Sequence, residues 1–110
     1  MEICYGNNKI KKQLSSATEM KKSFGAIAPR VSSRLDEIRS SPNLKTLMQI
    51  PAANCHQLTG DRKHEWAVDI SRNHRLIFEI WQDPIPKTTN NEIDTIRVTE
   101  VQITKTEDYH

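Results

Sequence analysis

Aromatic side chains are scarce in this chain: two Trp, two Tyr and two Phe account for 5% of its 110 residues, and apolar residues of every kind for 35%. The mean hydropathy is −0.69, so the core must be built from Leu, Ile and Val rather than from rings. A thin core on a small chain leaves modest stability, which a bound partner would raise by mass action. No apolar run approaches the roughly 20 residues needed to span a bilayer, and no signal-peptide segment opens the chain, which reads as cytoplasmic with no membrane partner. Only two cysteines occur, Cys4 and Cys55, with no CxxC. Their one possible disulfide would be unusual in a reducing compartment, and free thiols are expected. The four histidines, His56, His64, His74 and His110, lack HxxxH or HExxH spacing, so neither a metal nor a cofactor is expected. Repeats, low-complexity tracts and linkers are absent too, and residues 1–110 read as one domain.

Charge, by contrast, is plentiful and unevenly placed. Residues 1–64 carry 11 Lys+Arg against 5 Asp+Glu, a net of +6, whereas residues 65–110 carry 5 against 9, a net of −4. A basic half supplies either a surface for phosphates, whose neutralisation releases counterions, or simply a solvated pair of helices.

The pattern predicts α+β architecture. Met1–Tyr5 reads as a strand, and Gly6-Asn7-Asn8 as turn and cap for a helix from about Asn8 to Ala17. Thr18 is the expected cap of a second helical stretch. Met20, Phe24, Ile27, Val31, Leu35 and Ile38 recur at steps of three and four, one apolar stripe facing a core. Pro29 lacks an amide hydrogen, so the stripe is expected to break near Gly25–Ala28 and resume as a fresh helix over Pro29–Ser40. Ser40-Ser41-Pro42-Asn43 then ends that helix and caps a short one over Leu44–Gln49.

From Cys55 the period changes to two. Trp66, Val68 and Ile70, then Leu76, Phe78 and Ile80, alternate with more polar neighbours, and Ser71-Arg72-Asn73 is hairpin-length. Gln82–Asp94 reads as an extended loop. In the last strand Ile96 and Val98 lie on one parity and Val101 and Ile103 on the other, which predicts burial on both faces or a bulge near Thr99–Glu100.

Chemistry can be sought at the histidines and one arginine. Cleavage of RNA by its own 2′-hydroxyl needs one group to take a proton and another to give one, and imidazole does both near neutrality. His56 opens the first strand after the helices and His110 ends the chain after Asp108 and Tyr109. A cation must also stabilise charge on the phosphate oxygens, and the guanidinium of Arg75 can grip two of them at once. Arg75 could alternatively pair with Glu79 or Asp69.

The stretch CHQLTGDRKHEWAVDISRNHRLIFEI, Cys55–Ile80, resembles the core signature of HigB-type toxins of the RelE/ParE superfamily: a Leu-Lys-Gly-Asp-Arg turn, a Trp opening the next strand, and an Arg heading an apolar strand. The terminal Asp108-Tyr109-His110 is similar to that family's ending. Pro42-Asn43-Leu44, Asn54-Cys55-His56 and Asp83-Pro84-Ile85-Pro86 extend the likeness over nearly the whole chain. The resemblance implies a RelE-like fold, an N-terminal strand and two to three helices packed on a twisted antiparallel sheet. It also implies cleavage of mRNA on the ribosome without a metal. The family's catalytic positions fall on His56, Arg75, Asp108, Tyr109 and His110, and Arg62, Lys63 and Arg72 are expected to meet RNA phosphates. The implied partner is a helix-turn-helix antitoxin of the HigA type, through which the toxin would reach operator DNA. Thr59 stands where the family has lysine, His74 where an aromatic is common, and Lys105-Thr106-Glu107 is more polar than usual. Two other outcomes stay open: a ParE-like toxin that binds gyrase without cutting RNA, and a degenerate member acting only with its antitoxin on operator DNA.

Overall fold

A computed structural model describes residues 1–108. The expected N-terminal strand is β1, Glu2–Tyr5. Asn7 caps α1, Asn8–Gln13, its side-chain oxygen accepting from the Ile10 amide at 3.0 Å. This helix stops earlier than expected because Ser16 opens the next one, α2, Ala17–Phe24, by accepting from the Glu19 amide at 3.1 Å. The cap is therefore Ser16 and not Thr18; Ser16-Ala17-Thr18-Glu19 is the Ser-x-x-Glu signature of a helix start.

A 3₁₀ turn at Gly25–Ile27 breaks the apolar stripe where Pro29 required it, with Gly25 at φ +57, a left-handed value that a residue without Cβ adopts at little cost. α3 follows at Ala28–Ser40 with Pro29 in its first turn. Val31, Leu35 and Ile38 on its inner face are at most 1% exposed, each contributing ~1.5–3 kcal/mol of apolar burial. α4, Leu44–Met48, is capped by Asn43, the last residue of the expected capping segment, and buries Leu44 and Leu47.

The rest of the chain builds a five-stranded sheet in the order β1-β5-β4-β3-β2, where β2 is His56–Gln57, β3 Trp66–Asp69, β4 His74–Ile80 and β5 Glu100–Asp108. β2 to β5 pair antiparallel. β1 pairs with β5 in parallel, joining the N-terminal strand to the edge of the expected antiparallel sheet. The helices intervene between β1 and the meander and return the chain so that β1 runs alongside β5, a pairing too non-local for hydrophobic periodicity to reveal.

Helices cover one face of the sheet, where Trp66, Val68, Leu76, Phe78, Val101 and Ile103 are buried with the helical stripe. Trp66 and Phe78 stack with ring centroids 6.5 Å apart. On the other face Leu58, Ala67 and Ile77 form a second, smaller cluster, so the β2–β3 connection folds back over the sheet. Both cysteines are free thiols. Burial pushes the Cys55 thiol up to about 12.

The expected last strand is relocated. Ile96 is 56% exposed and Val98 is buried ahead of the strand, which begins only at Glu100. The parity change thus reflects loop backbone rather than a bulge at Thr99–Glu100. A bulge does occur further on: Ile77 pairs with Lys105 but Phe78 pairs with Ile103, leaving Thr104 as the extra residue. An extra residue turns every later side chain to the opposite face. Val101 and Ile103 therefore enter the core, whereas Lys105 and Glu107, of the same parity, lie on the face away from the helices.

Candidate active site

Register places the candidate residues in two rows on that outer face. His56, Ala67, Ile77 and Lys105 stand opposite one another along the first row, and Asp69, Arg75 and Glu107 along the second. His56, Gln57, Leu58, Thr59, Arg62 and Arg75 line one cleft. Two residues predicted as catalytic, His56 and Arg75, are thus brought together with Arg62.

His56 is oriented by its own chain. Asn54 adopts a left-handed conformation at φ 45, which Asn tolerates better than most residues. The turn brings the Asn54 carbonyl to 2.7 Å from His56 Nδ1, and the Asn54 side chain donates to Asp69 Oδ2 at 3.0 Å. A carbonyl only accepts, so Nδ1 carries the hydrogen and, in the neutral ring, Nε2 keeps its lone pair. Nε2 has no hydrogen-bond partner among the described residues. This is the tautomer of a general base.

Arg62 and Arg75 converge on one carboxylate. Arg75 Nη2 donates to Glu107 Oε1 at 2.6 Å and its Nε to the same oxygen at 3.2 Å. Arg62 donates to Glu107 Oε2 at 2.6 Å and Oε1 at 3.0 Å, and its Nε to Glu65 Oε1 at 2.8 Å. Hydrogen bonds from Arg62, then from Arg75, bring the Glu107 carboxyl down to about 2 against the opposing effect of desolvation. Arg62 holds Glu65 below its usual range, and Glu107 followed by Glu65 raises the Arg62 guanidinium still higher. Arg62 is thereby saturated with carboxylates, whereas Arg75 uses one edge of its fork on Glu107. Arg75 pairs with Glu107 at 2.6 Å, a partner across the bulged strand beside the Glu79 and Asp69 that the sequence offered.

The remaining expected positions lie elsewhere. Asp108 pairs in register with His74 at the end of the sheet, its Oδ2 3.6 Å from His74 Nε2. Lys63 borders a different groove, with Trp66 and Ile85, and Arg72 lines a pocket at the tip of the β3–β4 hairpin. Tyr109 and His110 lie outside the described residues. Among the described residues no three His, Cys, Asp or Glu side chains converge as a metal-binding group, and no helix is long and apolar enough to cross a membrane.

Three residues at or beside the site escaped the sequence reading: Glu107, Glu65 and Asn54. Glu107 had a signal, since it stood out as polar where the resembled family is apolar. Its use depends on the Thr104 bulge, which sequence does not announce.

No family model matches the sequence, and no curated protein matches it. Solved structures do. A YoeB/ParE toxin from Agrobacterium tumefaciens superposes with a TM-score of 0.53 at 12% identity, covering 100% of both chains. A YafQ variant from E. coli superposes with a TM-score of 0.57 at 13% identity, covering 97% of this chain and 91% of that one. The sheet and its helical layer are accordingly the α+β fold of YoeB-like and RelE-like toxins.

Proposed function

We propose that this protein is the toxin of a type II toxin–antitoxin system, of the RelE/ParE superfamily and its HigB branch, and that it is an mRNA interferase. The observation that carries the reading is His56, its Nδ1 bound to the Asn54 carbonyl and its Nε2 without a hydrogen-bond partner among the described residues, in one cleft with Arg75. The likeness of the fold to the Agrobacterium tumefaciens YoeB/ParE toxin and the Asp108-Tyr109-His110 sequence point the same way.

In this mechanism His56 Nε2 takes the proton of an RNA 2′-hydroxyl, whose oxygen attacks the adjacent phosphorus. The 5′-oxygen leaves with a proton from His110, giving a 2′,3′-cyclic phosphate and a free 5′-hydroxyl. Arg75, whose guanidinium borders the same cleft, stabilises the phosphate oxygens as charge builds on them. Asp108 and Tyr109 orient the terminal histidine, and no metal takes part. Arg62, committed to two carboxylates, holds Glu107 and through it Arg75, and Lys63 and Arg72 meet phosphates away from the reacting one. The protein works in the cytoplasm on ribosome-bound mRNA. A helix-turn-helix antitoxin of the HigA type restrains it and brings it to operator DNA.

The test is brief induction of the untagged protein beside its His110→Ala variant, with new 5′ ends mapped across cellular mRNA. Cuts within translated frames that vanish in the variant are expected. Growth arrest with intact mRNA would overturn the reading in favour of a gyrase-binding toxin, and undisturbed growth in favour of a member without toxicity.

A further inference from the structure

A second concentration of arginine lies at the hairpin end of the sheet. Arg30, Ser33 and Arg34 of α3, Ala52, and Asp69, Ile70, Ser71 and Arg72 of the β3–β4 hairpin line one pocket. Arg34 forms its wall, with a side chain 13% exposed. Its Nε donates to the Asp69 carbonyl at 2.6 Å, its Nη2 to the Ala52 carbonyl at 3.1 Å and its Nη1 to Glu37 at 2.8 Å, which ties helix, turn and hairpin together. Arg30 and Arg72 are exposed and make no hydrogen bond or ion pair among the described residues. Three guanidiniums therefore surround the pocket against the single carboxylate of Asp69, which already accepts from Asn54. Two forks from separate elements border the same space with one carboxylate between them, a net positive arrangement suited to a phosphate group.

We propose that this pocket is a second phosphate subsite for single-stranded RNA, receiving a backbone phosphate of a nucleotide that flanks the one cut at the His56–Arg75 cleft. The identity of the polyanion rests on the reading of that cleft as an RNA-cutting site. Continuity favours RNA over an acidic protein segment. Asp69 lines the pocket and is the register partner of Arg75, and Asn54 joins Asp69 to His56. The pocket, walled by α3, and the cleft, on the face away from the helices, meet at Asp69, so one RNA strand reaches both by rounding the end of the β3–β4 hairpin.

The experiment measures binding of a short fluorescein-labelled RNA, 2′-O-methylated so that it resists cleavage, to the full chain and to the Arg30→Ala/Arg72→Ala double variant over a range of salt. Single-stranded RNA loses ~0.7 in the slope of log K against log salt per phosphate contact, or ~5-fold in affinity per contact at about 0.1 M salt. The double variant, which loses the one phosphate held in the pocket, should show a slope shallower by about 0.7 and binding roughly 5-fold weaker at that salt. Both substituted side chains are exposed, and circular dichroism checks that the fold is kept; Arg30→Lys/Arg72→Lys, which retains charge, should restore most of the slope. An unchanged slope in a double variant whose wild type binds and cuts RNA would overturn the subsite and leave the cleft reading standing. RNA binding that depends on Arg30 and Arg72 without any cleavage by the wild type would uphold the subsite and remove the cleft reading. Loss of oligo-glutamate binding alone, with RNA binding unchanged, would overturn the subsite in favour of an acidic protein partner.

Discussion

Arg75 on β4 and Glu107 on β5 are register partners whose side chains meet at 2.6 Å, and Arg62 reaches the same carboxylate from the β2–β3 connection at 2.6 Å. Glu107 thus holds two guanidiniums of like charge side by side. Were it neutral, they would repel each other across a partly buried space.

That network sets a pH dependence. Folding depresses the Glu107 carboxyl from 4.5 to about 2. The stability it contributes is fully present above the unfolded value and is lost as pH falls through the folded one. Urea unfolding midpoints of the wild type should exceed those of Glu107→Gln at pH 7, and the gap should close between about pH 4.5 and 2. A gap independent of pH over that window would exclude the ion pairs as its source.

Arg75 should not be replaceable by lysine. An ammonium keeps the charge but cannot bind Glu107 along one edge while presenting another to a phosphate. Arg75→Lys should lower the cleavage rate by ~10²–10³, the typical loss on removing one transition-state donor, with little change in substrate affinity. Single-turnover cleavage of a labelled mRNA in programmed ribosomes reads the rate, and the concentration dependence reads the affinity.

The two candidate caps of α2 can be separated by measurement. Ser16→Ala removes the acceptor of the Glu19 amide and should cost about 1 kcal/mol in denaturant unfolding. Thr18→Ala lies within the helix and should stay within about 0.5 kcal/mol of the wild type. Equal losses would return the cap to Thr18.

That contrast also marks how far the sequence was legible. The stripe from Met20 to Ile38, its interruption before Pro29 and the capping segment ending at Asn43 were readable because each is a local consequence of helical period or backbone chemistry. So was the hairpin at Ser71–Asn73. The parallel pairing of β1 with β5 was not, since it joins the two ends of the chain. His56 and Arg75 could be named from chemistry and resemblance. The tautomer of His56 and the carboxylate between Arg62 and Arg75 could not, because they arise from the left-handed Asn54 and from one extra residue at Thr104.

Cys55 should be chemically silent in the folded protein. The thiolate is the reactive species, and burial raises this thiol to about 12. Titration with a disulfide reagent at pH 8 should leave Cys55 unmodified until denaturant is added, as read by mass spectrometry of the digested protein. Rapid labelling of Cys55 under native conditions would contradict its place in the core.

The central claim is that the His56 and Arg75 cleft cuts RNA by proton transfer. Its most direct test is to incubate purified wild type and His56→Ala with programmed ribosomes in excess chelator and to identify the new RNA ends. Wild-type products should bear 2′,3′-cyclic phosphate and 5′-hydroxyl ends, and a folded His56→Ala protein should be slower by ~10² or more. Equal cleavage by the two proteins, or products with 5′-phosphate ends, would contradict it.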